Sequence, residues 1–170
     1  MRNRNLLYLV EGDDEKKLVN TLKTNMGLIC PGKIQKLNVI ENDVTDLHLR
    51  PISKGTVVVL IFDTDTGNVD RLTRNIKKLS LCSSVSKVIT IPQVPNLEGE
   101  LVRSCNIKAI TELLNSKSRK EFKSDLIRVS NLERKLVEHQ FNINLLWNEK
   151  PKHPYHLIEN QAVEIKQLKK

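Results

Sequence analysis

Thr56-Val57-Val58-Val59-Leu60-Ile61-Phe62-Asp63-Thr64-Asp65-Thr66-Gly67 is the stretch that decides the fold. After Thr56 it is apolar without a break and mostly β-branched. That pattern predicts a strand covered on both faces, as in the centre of a parallel sheet. The run ends in two carboxylates. An earlier run, Leu6-Leu7-Tyr8-Leu9-Val10, is long enough for a strand and too short for a helix, and it ends in Glu11-Gly12. Open α/β sheets bind ligands at the carboxyl ends of their strands. Glu11, Asp63 and Asp65 delivered to that edge suit a hard divalent cation.

Outward from these runs, strands and helices alternate. Gly12 permits a turn, Asp13 is placed to cap a helix, and Asp14 and Glu15 fall in its first turn, where negative charge is favoured. Leu18, Val19, Leu22 and Met26 recur at helical spacing, and Gly27 ends the helix. Residues 34–40 read as a second strand. Residues 42–51 are ambiguous, with Val44, Leu47 and Leu49 able to form a short helix stopped by Pro51. Residues 68–81 predict a helix with Val69, Leu72, Ile76 and Leu79 on one face. Residues 85–91 predict a fourth strand ended by Pro92 and Pro95.

The expected architecture is therefore α/β: a mostly parallel, four-stranded Rossmann-like sheet flanked by helices. It occupies residues 1–96. Residues 97–170 read as a mainly helical, basic extension packed on the same domain. Two short helical pieces are expected within 97–114. Phe122, Leu126, Val129, Leu132, Leu136 and Val137 mark a stripe along one helix over 118–140. Trp147 is expected to anchor the extension in the core. Residues 159–170 read as a last helix or a basic tail.

The chain has 170 residues, a net charge of +8 and only 4% aromatics. Positive charge favours an anionic partner, nucleic acid first, while scarce aromatics argue against stacking of single-stranded bases. The excess concentrates towards the C-terminus, where residues 117–170 carry 12 Lys+Arg against 7 Asp+Glu. Lys120, Lys123, Arg128, Arg134 and Lys135 lie largely off the apolar stripe and are the expected nucleic-acid contacts, although solvation of a helix face explains them equally well. Cys30, Cys82 and Cys105 are dispersed, which argues against a disulfide framework and a structural zinc site. The four histidines show no metal-ligand spacing. No secretory leader and no run of the ~18–20 apolar residues of a membrane span is seen, so a cytoplasmic protein is expected.

Leu-Val-Glu-Gly-x-x-Glu after one strand, then Phe-Asp-x-Asp after a later central strand, resembles the Toprim domain. That family includes the catalytic domains of type IA and type II topoisomerases, bacterial primases, overcoming-lysogenization-defect nucleases and small stand-alone nucleases. The resemblance covers residues 5–95 and implies that Glu11, Asp63 and Asp65 are catalytic. It implies Mg²⁺ or Mn²⁺ held by Glu11, Asp63 and Asp65, with Glu15 and Glu98 as further ligands and Glu100 in reserve for Glu98. A later lysine is often used against the developing phosphate charge in such nucleases, and the sequence does not choose one. The implied function is metal-dependent phosphodiester chemistry on DNA or RNA, foremost an endonuclease, in RNA processing or in prokaryotic defence against phage.

Other readings stand beside it. Glu15, Glu98 and Glu100 also suit helix first turns, and Asp63 and Asp65 a strand-end turn. A non-catalytic nucleic-acid-binding or regulatory subunit, needing a partner such as an ATPase, is the alternative in another class. Asp63-Thr64-Asp65-Thr66 also resembles the nucleophile motif of haloacid-dehalogenase-type phosphatases, but that motif usually opens the chain and needs a later acidic pair, for which only Asp70 and Asp125 remain.

Overall fold

The computed structural model describes residues 5–167. Strands β1 (Leu6–Val10), β2 (Lys33–Lys36), β3 (Thr56–Asp63) and β4 (Val85–Gln93) form one all-parallel sheet in the order β2-β1-β3-β4. Helices α1 (Asp13–Asn20), α2 (Asp46–Leu49) and α3 (Val69–Ser80) fall within the first half. Helices α4 (Leu97–Ser104), α5 (Thr111–Leu114), α6 (Arg119–Arg128) and α7 (Leu132–Glu138) follow β4. This is the Rossmann-like α/β arrangement that the alternating pattern predicts.

The side-chain alternation of β3 divides the interior into two cores. Val57, Val59 and Ile61 join Leu6, Tyr8 and Val10 of β1 on one face, beneath α1, α4, α6 and α7. Val58, Leu60 and Phe62 pack on the other face with Leu72 and Leu79 of α3. Both faces of β3 are thus dry, which is why its apolar run is continuous. Phe122, Leu126, Leu132, Leu136 and Trp147 belong to the first of these cores. The C-terminal residues therefore cover the sheet directly. At about 25 cal/mol per Å² of apolar area, such burial is the main force holding them there.

Several expectations are corrected. β2 stops at Lys36 because Asn38 folds the chain: its Oδ1 accepts the N–H groups of Ile40 and Glu41 at 3.0 and 3.1 Å. Asp13 is not the cap. It is the first helical residue, and its carboxylate pairs with Lys36 at 2.9 Å. The strand β4 runs through Pro92 to Gln93. It is an edge strand, and the N–H of Thr90 already points outward to Gln161 Oε1 at 3.0 Å. Pro92, two residues on, has the same orientation, so its missing N–H costs no bond to β3.

The expected helix over 118–140 is two helices, α6 and α7, broken between Arg128 and Leu132. Val129 leaves the helical conformation, and its carbonyl accepts a hydrogen bond from Lys17 Nζ of α1. Phe122, Leu126, Leu132 and Leu136 are buried as the stripe predicts, but Val137 is exposed. Beyond Glu159, among the described residues, there is no regular last helix. Gln161 hydrogen-bonds along the outer edge of β4, a single turn covers Ala162–Glu164, and residues 168–170 of the expected tail lie outside the described residues. Among the described residues, no helix is long and apolar enough to cross a membrane.

Candidate metal centre

The strand order places a topological switch between β1 and β3. From β1 the chain moves outward to β2, and from β3 it moves the other way to β4. A crevice opens at such a point at the carboxyl ends of the two strands. Glu11 immediately follows β1, Asp63 is the last residue of β3, and Glu15 rises from the first turn of α1. One carboxylate oxygen from each of Glu11, Glu15 and Asp63 lies within 4.8 Å of the others.

Backbone groups hold two of the three. The Asp63 N–H donates to Glu11 Oε1 at 3.1 Å, tying the ends of β1 and β3 together. The Gly12 N–H donates to Glu15 Oε2 at 2.9 Å, so Glu15 reaches back over the start of its own helix. Gly12 itself is extended, not in a tight turn, and a side chain there would displace the Asp14 and Glu15 carboxylates. A Cβ would stand 2.7 Å from Asp14 Oδ1 and 3.2 Å from Glu15 Oε2.

Asp63 is positioned by a residue that the sequence reading missed. Gln93, fully buried at the end of β4, donates from Nε2 to Asp63 Oδ1 at 2.7 Å. Its Oε1 accepts from Trp147 Nε1 at 3.3 Å. An indole N–H can only donate, so it fixes the orientation of the Gln93 amide and aims the NH₂ at the carboxylate. Trp147 is the core anchor expected, and it also supports the site.

The three acids repel one another in a partly dry setting. Burial pushes Glu11 up to about 7, and the charges of Asp65, Glu41 and Asp14 add to this against the Asp63 N–H bond. Burial, and then the neighbouring Glu11, push Asp63 up to about 8. Burial and the adjacent Asp14 push Glu15 up to about 9. Among the described residues, no Lys, Arg or His nitrogen lies within 4.0 Å of any of these three carboxylates. Three clustered oxygen donors, raised towards protonation by burial and by one another, match the donor chemistry of Mg²⁺ or Mn²⁺.

The remaining expected ligands stand outside this group. Asp65 lies beyond the end of β3, exposed, and its Oδ2 accepts from Asn96 Nδ2 at 3.3 Å. Its loop is pinned at Thr64, whose N–H donates to Pro95 O at 2.7 Å, and at Thr66, whose hydroxyl is 3.1 Å from Tyr155 Oη. Glu98 on α4 is buried, and its carboxylate meets Lys123 Nζ at 3.4 Å. Its charge still reaches Asp63. Glu100, the reserve, points elsewhere. It is fully buried and accepts the N–H groups of Val94 at 2.8 Å and Trp147 at 2.7 Å, with Arg103 Nη2 also at 2.7 Å. That is a structural carboxylate joining α4 to the Trp147 segment. Glu41 and Asp14 are close enough to raise Glu11; the sequence marked Asp14 only as a first-turn charge and did not mark Glu41. The turn carrying Glu41 had no such signal.

Of the five expected nucleic-acid contacts, Lys123 is the one brought to the acidic group. Against the burial that would lower it, Glu98, Asp14 and Glu15 hold its ammonium above the usual lysine range. Arg134 and Lys135 both pair with Glu138, at 2.9 and 3.1 Å. Lys120 and Arg128 are exposed on α6. Of the two later acids a phosphatase would draw on, Asp125 is engaged by Ser116 Oγ at 2.6 Å.

Compared with protein-family models, with curated proteins and with solved structures, the chain shows no match. The fold and the acidic cluster therefore carry the functional reading by themselves.

Proposed function

We propose that this chain is a metal-dependent nuclease, cleaving phosphodiester bonds in DNA or RNA at the cluster of Glu11, Glu15 and Asp63. The observation that carries this is the convergence of three carboxylates at the switch point of a parallel sheet, within 4.8 Å of one another and, among the described residues, without a basic partner. Mg²⁺ or Mn²⁺ fits that donor set. Glu11, Glu15 and Asp63 would hold it, while Asp65 and Glu98 add negative charge felt at Asp63. When bound, such a cation supplies Lewis-acid stabilisation of phosphoryl oxygens and lowers the pKa of water.

The chain's own residues supply the rest. Gln93 and the Asp63 N–H orient two of the ligands before any cation arrives. Lys123 is the lysine best placed to offset negative charge gathering on a phosphate beside Glu98. The net charge of +8 favours association with a polyanion. The order of the motifs, Glu11-Gly12 after β1 and Asp63-x-Asp65 after β3, agrees with the resemblance to Toprim nucleases, and a role in RNA processing or phage defence follows from that resemblance alone.

The test is incubation of purified wild type and Glu11→Ala with labelled DNA and RNA in Mg²⁺ or Mn²⁺. Metal-dependent cleavage by the wild type that falls by about 10²-fold or more in the variant supports the reading. Cleavage undiminished in Glu11→Ala removes it. Metal and nucleic-acid binding without any cleavage would instead favour the non-catalytic subunit.

A further inference from the structure

A cleft of about 430 Å³ opens beside the acidic cluster, between α4, the segment leading into α5, and the start of α6. Glu98 forms part of its wall, and its charge, felt at Asp63, links the cleft to the acidic cluster although Glu98 stands outside that group. Val102 and Ile110 contribute an apolar lining, and Arg103, Lys108 and Arg119 contribute three cations. The volume lies within the usual range for small-molecule sites, about 300–1,000 Å³, and suits one nucleotide unit.

The charges in the cleft do not cancel. Arg103 is matched by Glu100 at 2.7 Å, and Glu98 is matched by Lys123 at 3.4 Å. The Lys108 ammonium and the Arg119 guanidinium are exposed and, among the described residues, have no carboxylate within 4.0 Å, while Glu112 Oε1 accepts the backbone N–H groups of Lys108 and Ala109 at 3.2 and 3.0 Å. Two side-chain cations are therefore left without a salt-bridge partner next to an apolar wall, with Glu112 held by backbone N–H groups behind Lys108. A nucleotide offers the complementary pair, an anionic phosphate and a flat apolar base. Aromatics are absent from this lining, so the apolar contribution is aliphatic and independent of base identity.

We propose that this cleft seats a nucleotide flanking the reacting phosphodiester, with its phosphate on Lys108 and Arg119 and its base against Val102 and Ile110. The proposal rests on the nuclease reading for its substrate class, and it adds where the strand runs: from the acidic cluster past Glu98 towards α5.

The test measures binding of short fluorescein-labelled single-stranded DNA and RNA, in EDTA and in Ca²⁺, across a salt series. Lys108→Ala/Arg119→Ala is compared with wild type and with Arg74→Ala/Lys77→Ala on α3, a charge-matched control on the opposite face of the sheet. Thermal melts confirm that both variants fold. The expected result is affinity lower by about tenfold or more in Lys108→Ala/Arg119→Ala, with the slope of log K against log salt reduced by about 1.4 for two lost single-strand phosphate contacts. The control stays within about twofold of wild type. Equal losses in both variants, no loss in the cleft variant, or no binding by the wild type in either condition would each overturn the cleft assignment. Isothermal titration with Mn²⁺ separates this from failure of the nuclease reading. Cleft-dependent binding in a protein that takes up no Mn²⁺ would sink the metal centre and leave the cleft standing.

Discussion

Gln93 holds Asp63: its Nε2 donates to Oδ1 at 2.7 Å, and the Trp147 indole behind it fixes which way the amide faces. The contact spans neighbouring strands, from the last residue of β4 to the last residue of β3, and its Gln93 end is buried. Gln93→Leu removes it and leaves both Asp63 and the Trp147 N–H without their partner. We expect Mn²⁺ affinity to fall about 10–100-fold, as for loss of a residue supporting a metal ligand. Stability should fall by about 1–3 kcal/mol through the orphaned indole. Calorimetric titration and denaturant unfolding read the two effects separately.

The protons on the acidic cluster make the metal-free protein pH-sensitive in a definite direction. Glu11 and Asp63 start from ordinary values of 4.5 and 3.8 and are raised to about 7 and about 8 in the fold, burial being the main cause. The folded state therefore binds more protons than the unfolded chain between those limits, and stability must fall as pH rises through that window. The melting temperature without metal should drop between about pH 5 and about pH 8, and saturating Mg²⁺ or Mn²⁺ should flatten the dependence. Asp63→Asn should raise the metal-free protein's stability at about pH 8 by on the order of 1–2 kcal/mol, or about 2–8 °C. A melting temperature that climbs with pH would contradict the arrangement.

Two neighbouring acids on α4 should behave differently. Glu100 is enclosed among the N–H groups of Val94 and Trp147 and the Arg103 guanidinium. Glu100→Ala leaves that guanidinium and two amides uncompensated and should cost about 3–5 kcal/mol. Glu98→Gln keeps the shape and loses one partly exposed ion pair, for a cost of about 1 kcal/mol or less. Its effect should fall on cleavage and Mn²⁺ affinity instead. Chemical unfolding curves for the two variants distinguish a structural carboxylate from one turned to the site.

The basic residues of the C-terminal helices should separate in the same way. Lys123→Ala removes the cation paired with Glu98 and should lower cleavage by about tenfold or more while stability changes by about 1 kcal/mol or less. The double variant Arg134→Ala/Lys135→Ala breaks only exposed pairs with Glu138 on α7 and should leave cleavage within about twofold of wild type. A loss of cleavage in the α7 variant as large as that in Lys123→Ala would shift the nucleic-acid surface towards α7.

The parallel α/β sheet, and the placing of Glu11 and Asp63 at the ends of two of its strands, were legible because they rest on strong local signals. Val57 to Phe62 are buried on two faces and so had to be apolar throughout, and the acids at the ends of β1 and β3 were costly there without a purpose. Glu15 was readable from its offset along α1. Gln93 was not, since a glutamine at a strand end has no distinctive pattern, and only the approach of Trp147, 54 residues later, gives it a role. The break between α6 and α7 contains neither Gly nor Pro. Its one local sign was Ser130-Asn131-Leu132-Glu133, a start signal for a second helix that the continuous apolar stripe obscured. The end of β2 was missed because Ile34 and Ile40 look alike in sequence, while the Asn38 turn between them sends only the first into the sheet.

The claim that most needs measurement is that Glu11, Glu15 and Asp63 together form a cation site. Isothermal titration of Mn²⁺ into wild type and into Glu11→Ala at about pH 8, where the carboxylates are at least partly deprotonated, addresses it directly. Saturable binding by the wild type that weakens at least about tenfold in Glu11→Ala is the expected result. Identical isotherms for the two proteins, or no saturable heat from the wild type, would show that the three carboxylates gather there for some other reason.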